Sequence, residues 1–391
     1  MVDDTDWKQV WLILAAGIIG ASQILKIAIA VPLLREDLQA SLLLLAWVAG
    51  AYSILGVAGG VLTGYAVGYF PLRRVVVAGL VLIGAGSFAG AFAQGPSLLI
   101  ATRVVEGIGF LGLAVACPAL LRQATAPRHL PMVLAAWAAY VPAGGAIMLF
   151  LGPGIMSGDW RTLWLASGAA ALVNALLLVA TRPAAGRQAA GASHPGRSDV
   201  KAMVTAPAPL LLASVFALHG IQFFALATFL PVLAVDRLGL TLATAGTISA
   251  TAFAGAAIGN IAGGFLRRTD VPAAHVVGFA FCVVALTGPV VFAEGMPTAA
   301  VVAAAGACFA LTDLLPSTVI SSMPQFAPTP QRMALGMGMI QQASSIAAVA
   351  GPVAIASWVQ LAGWSSAGWL FVFIGVCGGT AAFMLSRAMR G

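Results

Sequence analysis

Two cations and one carboxylate stand inside stretches of sequence that are otherwise apolar: Lys26 within WLILAAGIIGASQILKIAIAVPLL, and Arg103 and Glu106 within LIATRVVEGIGF. Ionic groups at such positions are costly unless they pair or face water, and where they persist they mark solute or proton pathways. Gln23 precedes Lys26 by three residues, and Arg103 precedes Glu106 by three, so each pair shares one face of the helix that carries it. The second half of the chain adds His219 and Gln222, again three apart, with Gln341 and with Asp313, the acid of that half that sits inside an apolar run. Together these groups can meet the charge of a solute, hydrogen-bond it, and bind or release a proton. They do not form an enzyme's nucleophile and base: the serines have no neighbouring histidine, and His129, His194 and His275 fall in or beside loops. Cys117, Cys282, Cys308 and Cys377 lie in apolar runs without metal-ligand spacing, so neither a metal nor a cofactor is expected.

The elements that must hold these residues are membrane-spanning helices. With 61% hydrophobic and 8% charged residues over 391 positions, the composition excludes a soluble domain. A bilayer core takes about 20 helical residues, and the apolar runs give twelve spans, near 9–33, 41–63, 75–94, 97–121, 131–155, 161–181, 208–234, 241–265, 272–293, 297–321, 331–358 and 364–387. The acidic start has no cationic leader pattern, so the first span is expected to persist in the mature protein. No glycine-rich nucleotide loop is present, which argues against ATP hydrolysis. Of the 19 Lys and Arg residues, only Arg35, Arg161 and Arg237 fall on one set of loops, Lys26 and Arg103 lie within spans, and the rest fall on the other set. By the positive-inside rule both termini are cytoplasmic, in an inner membrane, and the net charge of +7 is a topology signal rather than a nucleic-acid footprint.

The chain repeats itself. Pro32 and Asp37 recur as Pro231 and Asp236, 199 positions later in each case, and Arg73-Arg74 recurs as Arg267-Arg268. Two six-span halves are therefore expected, 1–181 and 208–391, joined by a cytoplasmic linker at 182–207 rich in Ala, Gly and Pro. Glycine-rich runs, GVAGGVLTG and GAAIGNIAGG, precede both arginine pairs and allow close helix packing.

On these residues the chain resembles the major facilitator superfamily. GYAVGYFPLRR, Gly64 to Arg74, is similar to the family signature between spans two and three, with Gly68 in place of its aspartate and Pro71 in place of its second glycine. Arg103 and Gly107 match the arginine-then-glycine motif of span four, and Asp159-Trp160-Arg161 resembles the usual entry to span six. The span-five antiporter motif is only suggested, by Gly144, Gly145, Gly152 and Pro153 at other spacings. The glutamate in span four and the segment YVPAGG resemble cyanate-permease-like members. The resemblance implies an all-α fold of twelve transmembrane helices in two pseudo-symmetric six-helix bundles, with spans one, four, seven and ten lining a central cavity. It also implies a secondary transporter, here a monomer working in the lipid bilayer by alternating access.

Depth along the helices, at about 1.5 Å per residue, places Lys26, Arg103 and Glu106 together in the outer half, as a cluster of net positive charge. Two readings are open: a salt bridge that locks two helices, or a spare cation that meets an anionic group. The residues expected to bind solute are Gln23, Lys26, Arg103, Tyr140, His219, Gln222 and Gln341, with Gln23 and Gln222 equivalent under the repeat while Lys26 maps to Ala225. Trp137 and Tyr140 line a cavity or, alternatively, pack against lipid or in a core. Glu106 and Asp313 are the candidate proton carriers. Asp313 is expected toward the cytoplasmic side, where its alternative roles are to cap a half-helix broken at Pro316 or to meet an arginine. His219 either carries a proton or is a neutral core histidine. Trp47, Trp164, Trp358, Trp364 and Trp369, near span ends, read as an interfacial belt. The function expected is movement of a small polar or anionic solute in symport with protons. The alternatives are proton-coupled efflux of hydrophobic compounds and, from another class, a membrane solute sensor that does not transport.

Overall fold

The structure, a computed structural model, describes residues 4–59, 70–181, 197–266 and 271–388. Most of the signature loop, the pair Arg267-Arg268 and the linker up to 196 lie outside the described residues. Contacts divide the chain into two compact units, one built from the helices before the linker apart from residues 56–59, and one from those residues and the helices after it.

In the first unit, α1 (Trp7–Leu38) begins where the Asp6 side chain accepts a hydrogen bond from the Gln9 N–H, and ends where Gln39 takes a left-handed conformation. It is followed by α2 (Leu42–Ala51), capped by Ser41, then α3 (Leu72–Ala91) and α4 (Pro96–Ala124), which opens with proline in its first turn. Next come α5 (Leu130–Ala138), α6 (Tyr140–Met156) and α7 (Trp160–Ala180), the last capped by Asp159. Helix α3 packs against α4 and α7, and α1 packs against α4, α6 and α7. Val10, Ile13, Val76, Leu80, Ile83, Leu113, Leu121 and Leu178 form the core where α1, α3, α4 and α7 meet.

The second unit opens with α8 (Arg197–Thr205), a short helix within the expected linker, followed by α9 (Pro207–Asp236), α10 (Leu242–Leu266) and α11 (Ala273–Phe292). It continues with α12 (Thr298–Thr312), α13 (Leu314–Ser322), α14 (Pro330–Ala362) and α15 (Gly368–Ala388). Helix α9 packs on α14 and α15, α11 on α12 and α15, and α10 on α12 and α13. Phe223, Phe253 and Phe309 meet pairwise with ring centroids 5.3 to 5.5 Å apart and tie α9, α10 and α12 together.

Among the described residues ten helical segments are long and apolar enough to cross a membrane, and shorter apolar helices, α2 and α6, stand where the second and fifth spans were expected. Two of the expected spans are interrupted for one residue, the tenth next to the break anticipated at Pro316. The helical run of the fifth is interrupted at Ala139 (φ −86°, ψ 1°) and that of the tenth at Asp313 (φ −73°, ψ 1°). Each break lies three residues before a proline, Pro142 or Pro316. A proline offers no N–H to the carbonyl four residues back and its ring crowds that carbonyl. Other prolines, such as Pro32 and Pro118, are accommodated without a break.

Candidate functional site

Helices α1, α3 and α4 converge on Glu106. Its Oε1 accepts hydrogen bonds from Lys26 Nζ and from Ser87 Oγ, each at 2.8 Å, and the same Ser87 oxygen accepts a second bond from Lys26 at 2.8 Å. Its Oε2 accepts from Arg103 Nη1. Arg103 also donates through Nη2 to the main-chain carbonyl of Gln23 at 2.7 Å. All three charged side chains are 0% exposed. Both cations therefore pair with one carboxylate, where either pairing alone had been expected, and the cluster keeps one uncompensated positive charge.

Aromatic rings cover the two cations. Lys26 Nζ lies 4.7 Å from the centre of the Trp164 ring, and the Arg103 guanidinium 4.4 Å from that of Tyr52. Ring faces attract cations, more strongly where water is excluded. Tyr52 is itself held by a hydrogen bond from its hydroxyl to the Gly20 carbonyl at 2.7 Å. The close approach depends on two glycines. A Cβ on Gly86 would lie 2.7 Å from Glu106 Cγ, and one on Gly107 would collide with the Tyr52 carbonyl oxygen.

Ser87, Tyr52 and Trp164 were not anticipated. Trp164 is fully buried beneath Lys26 rather than part of an interfacial belt, whereas Trp47 and Trp369 are exposed, at 43% and 67%. Position near a span end was the misleading signal for Trp164. Ser87 had a faint one, as the hydroxyl in the small-residue run GAGSFAG. Three polar atoms of the cluster are buried without a hydrogen-bond partner among the described residues, Arg103 Nε, Gln23 Oε1 and Trp164 Nε1. The Gln23 amide nitrogen bonds to the Ile19 carbonyl and to Ser22 Oγ of its own helix. Nearby, Trp137 and Tyr140 stack with centroids 4.3 Å apart, and Tyr140 and Tyr52 both lean on Phe110.

A second cluster lies in the other unit, where α9 meets the α12–α13 break. His219 Nε2 is 4.0 Å from Asp313 Oδ2. Gln222 Nε2 stands 3.3 Å from His219 Nδ1 and donates to Thr312 Oγ1 at 3.3 Å, while Gln222 Oε1 accepts from Cys308 Sγ at 3.3 Å. The Asp313 side chain caps neither half-helix and Oδ2 is buried without a hydrogen bond, so neither of its two alternative roles holds among the described residues. Its neighbour is His219, brought to it by the break in the helix. Among the described residues no hydrogen bond joins Gln341, half-buried on α14, to either cluster. No group of acids, histidines and cysteines suited to a metal ion occurs among the described residues.

Each cluster also has a structural counterpart at one end of its unit. Asp37 at the end of α1 receives Trp160 Nε1 at 3.0 Å and pairs with Arg161 at 2.9 Å, fastening α1 to the start of α7. In the second unit Arg237, just past α9, donates to the Phe292 and Ala293 carbonyls at the end of α11.

The family model described as Major Facilitator Superfamily matches residues 12–330. In fold the chain is similar to a bacterial homolog to human lysosomal transporter, Spinster, crystallised in an inward-facing and unoccupied conformation. That match has a TM-score of 0.82 at 16% identity and covers 98% of each chain. A crystal structure of such a homolog in the inward-facing and occupied conformation matches with a TM-score of 0.81 at 15% identity, over 97% of this chain and 96% of the other. At these identities the likeness speaks for the fold. A comparison with curated protein sequences gives no match.

Proposed function

The chain belongs to the major facilitator superfamily and is a multi-pass membrane transporter rather than an enzyme, and from that premise we propose that it moves a small polar or anionic solute in symport with protons by alternating access. The observation that carries this reading is the closed triad of Lys26, Glu106 and Arg103 with its spare positive charge and the spare donor at Arg103 Nε. A buried ion without full compensation is costly. An anionic solute completes the charge balance when it docks against Arg103 and Lys26, and Gln23 Oε1 accepts a hydrogen bond from the solute's polar groups. The span-four glutamate, on which the resemblance to cyanate-permease-like members rests, is the counter-ion that holds the two cations in place when the solute is gone.

Glu106, saturated by three donors, stays ionised in this scheme and does not carry the proton. That role falls to Asp313 with His219. The pair is neutral when it holds one proton, as carboxylic acid with imidazole or as carboxylate with imidazolium, and becomes a lone buried carboxylate when the proton leaves. The second state is costly in an apolar setting, so release is favourable only when the unit opens the pair to water. Gln222, fixed by Thr312 and Cys308, holds the imidazole ring in position. In this reading 1–181 and 208–391 are the two halves, 182–207 the linker, and both termini are cytoplasmic.

Uptake in proteoliposomes tests it. Labelled small anions are expected to accumulate when the outside is made acidic, and Asp313→Asn to abolish this accumulation while anion counterflow without a gradient persists. If no anion moves and cationic hydrophobic dyes are expelled instead, the efflux reading replaces this one.

A further inference from the structure

The first unit carries a groove that neither charged cluster uses. It lies between α3 and α7 at the end of the unit where α3 begins and α7 finishes, has a volume of about 540 Å³, and is lined by Arg73, Arg74, Val77, Val81, Val179 and Thr181 among others. Arg74, Val77 and Val81 follow one another at helical spacing, so the groove has a guanidinium at its mouth and an aliphatic stripe leading about 10 Å inward along α3. Val81 and Val179 are 44% and 62% exposed. On a membrane-spanning helix such exposed aliphatic residues are neighbours of acyl chains rather than of water.

Among the described residues the charged end is not fully satisfied. Arg73 donates through Nη2 to the Leu178 and Thr181 carbonyls that end α7, but its Nη1 is buried without a hydrogen-bond partner. Arg74 is exposed, and its side chain makes no hydrogen bond or ion pair among the described residues. No side chain caps the start of α3, whose N-cap is Pro71, so the positive end of the helix dipole faces the same place. Among the described residues no acid lines the groove.

We propose that this groove binds an anionic phospholipid, its phosphate held between Arg73 Nη1 and Arg74 and one acyl chain lying along Val77, Val81 and Val179. The occupant is a lipid rather than a free phosphate because the charge sits at the mouth of an aliphatic channel, and basic pockets between membrane helices take anionic headgroups in this way. The bound lipid joins α3 to α7 at the point where Arg73 already bridges them, so it stabilises the first unit.

The test uses the full chain purified in a neutral detergent, with phosphatidylglycerol, phosphatidylcholine or inorganic phosphate added, read by thermal unfolding and by native mass spectrometry. Phosphatidylglycerol is expected to raise Tm and to remain as a bound adduct, with phosphatidylcholine and phosphate doing neither. Arg74→Gln should require about fivefold more phosphatidylglycerol for the same shift, the loss of one basic contact near a membrane surface. Val81→Trp, which fills the groove and keeps both arginines, should lose the adduct, and Arg387→Gln, outside the groove, should behave as the parent. Arg73→Gln is avoided as the main variant because it also uncaps α7. Equal response to the two lipids, stabilisation by inorganic phosphate alone, or an unchanged response in Arg74→Gln and Val81→Trp would overturn the proposal.

Discussion

Lys26 and Arg103 compete for one carboxylate, and that competition predicts how each side chain responds to removal. Lys26→Met leaves Arg103 and Glu106 as a neutral buried pair, so it should cost little stability, within about 1 kcal/mol, yet abolish anion transport. Glu106→Gln leaves two buried cations facing each other with one neutral acceptor, and should cost about 3–5 kcal/mol, the penalty for breaking a buried pair. Thermal unfolding of the two variants, read beside counterflow, separates the roles. A Lys26→Met protein that unfolds as early as Glu106→Gln, with transport intact when it is folded, makes the triad a structural lock. The three charged residues and their helical spacing were legible as single letters in apolar runs. Ser87, Tyr52 and Trp164 were not, because a serine, a tyrosine or a tryptophan in a membrane span has too many ordinary uses to stand out.

Breaks and close approaches decide which side chains meet at the scale of elements. Asp313 stands at the α12–α13 turn, three residues before Pro316, with its carboxylate 4.0 Å from His219 on α9. Gly259 serves the same junction from α10: a Cβ there would collide with the Ala310 carbonyl oxygen and lie 3.1 Å from Asp313 Cβ. In the first unit Gly107 lets α4 pass against the backbone of Tyr52. Gly107→Ala should therefore destabilise by about 1–3 kcal/mol, the usual cost of forcing extra volume into a packed site. Gly306→Ala, where nothing lies within 4 Å of the new Cβ, should leave stability unchanged or raise it by roughly 0.5–1 kcal/mol through helix propensity. Thermal unfolding of both variants in one detergent is the check, and equal effects would remove the packing argument. The glycine runs announced close packing, but a sequence does not say which glycine faces a backbone.

The whole molecule is organised by its charge distribution and its repeat. In the twelve-span reading cations crowd one set of loops, and Arg35, Arg161 and Arg237 fall on the other set. In a cysteine-free background made by replacing Cys117, Cys282, Cys308 and Cys377, a cysteine at Gly158 should react with a membrane-impermeant maleimide on intact cells. One at Ala206 should react only after permeabilisation. The reverse pattern would invert the topology and with it the direction of the proton scheme. The family match over 12–330 and the all-helical fold agree with the twelve-span reading. A turn at Tyr52 and an interruption at Ala139 fall within the second and fifth expected spans, and the helix that resumes at 54–59 runs up to the edge of the described residues.

By itself the sequence determined that this chain is a membrane protein of transmembrane helices, that it is a duplicated design, and that its chemistry rests on a few ionisable residues. Those facts follow from hydropathy, periodicity and the rarity of charge in apolar runs, all of which are local or additive properties of the letters. Only the tertiary structure decided that both cations share Glu106 and that Asp313 faces His219. Those pairings depend on where helices break and how closely backbones approach, and such distances are set by many side chains acting together rather than by spacing along the chain.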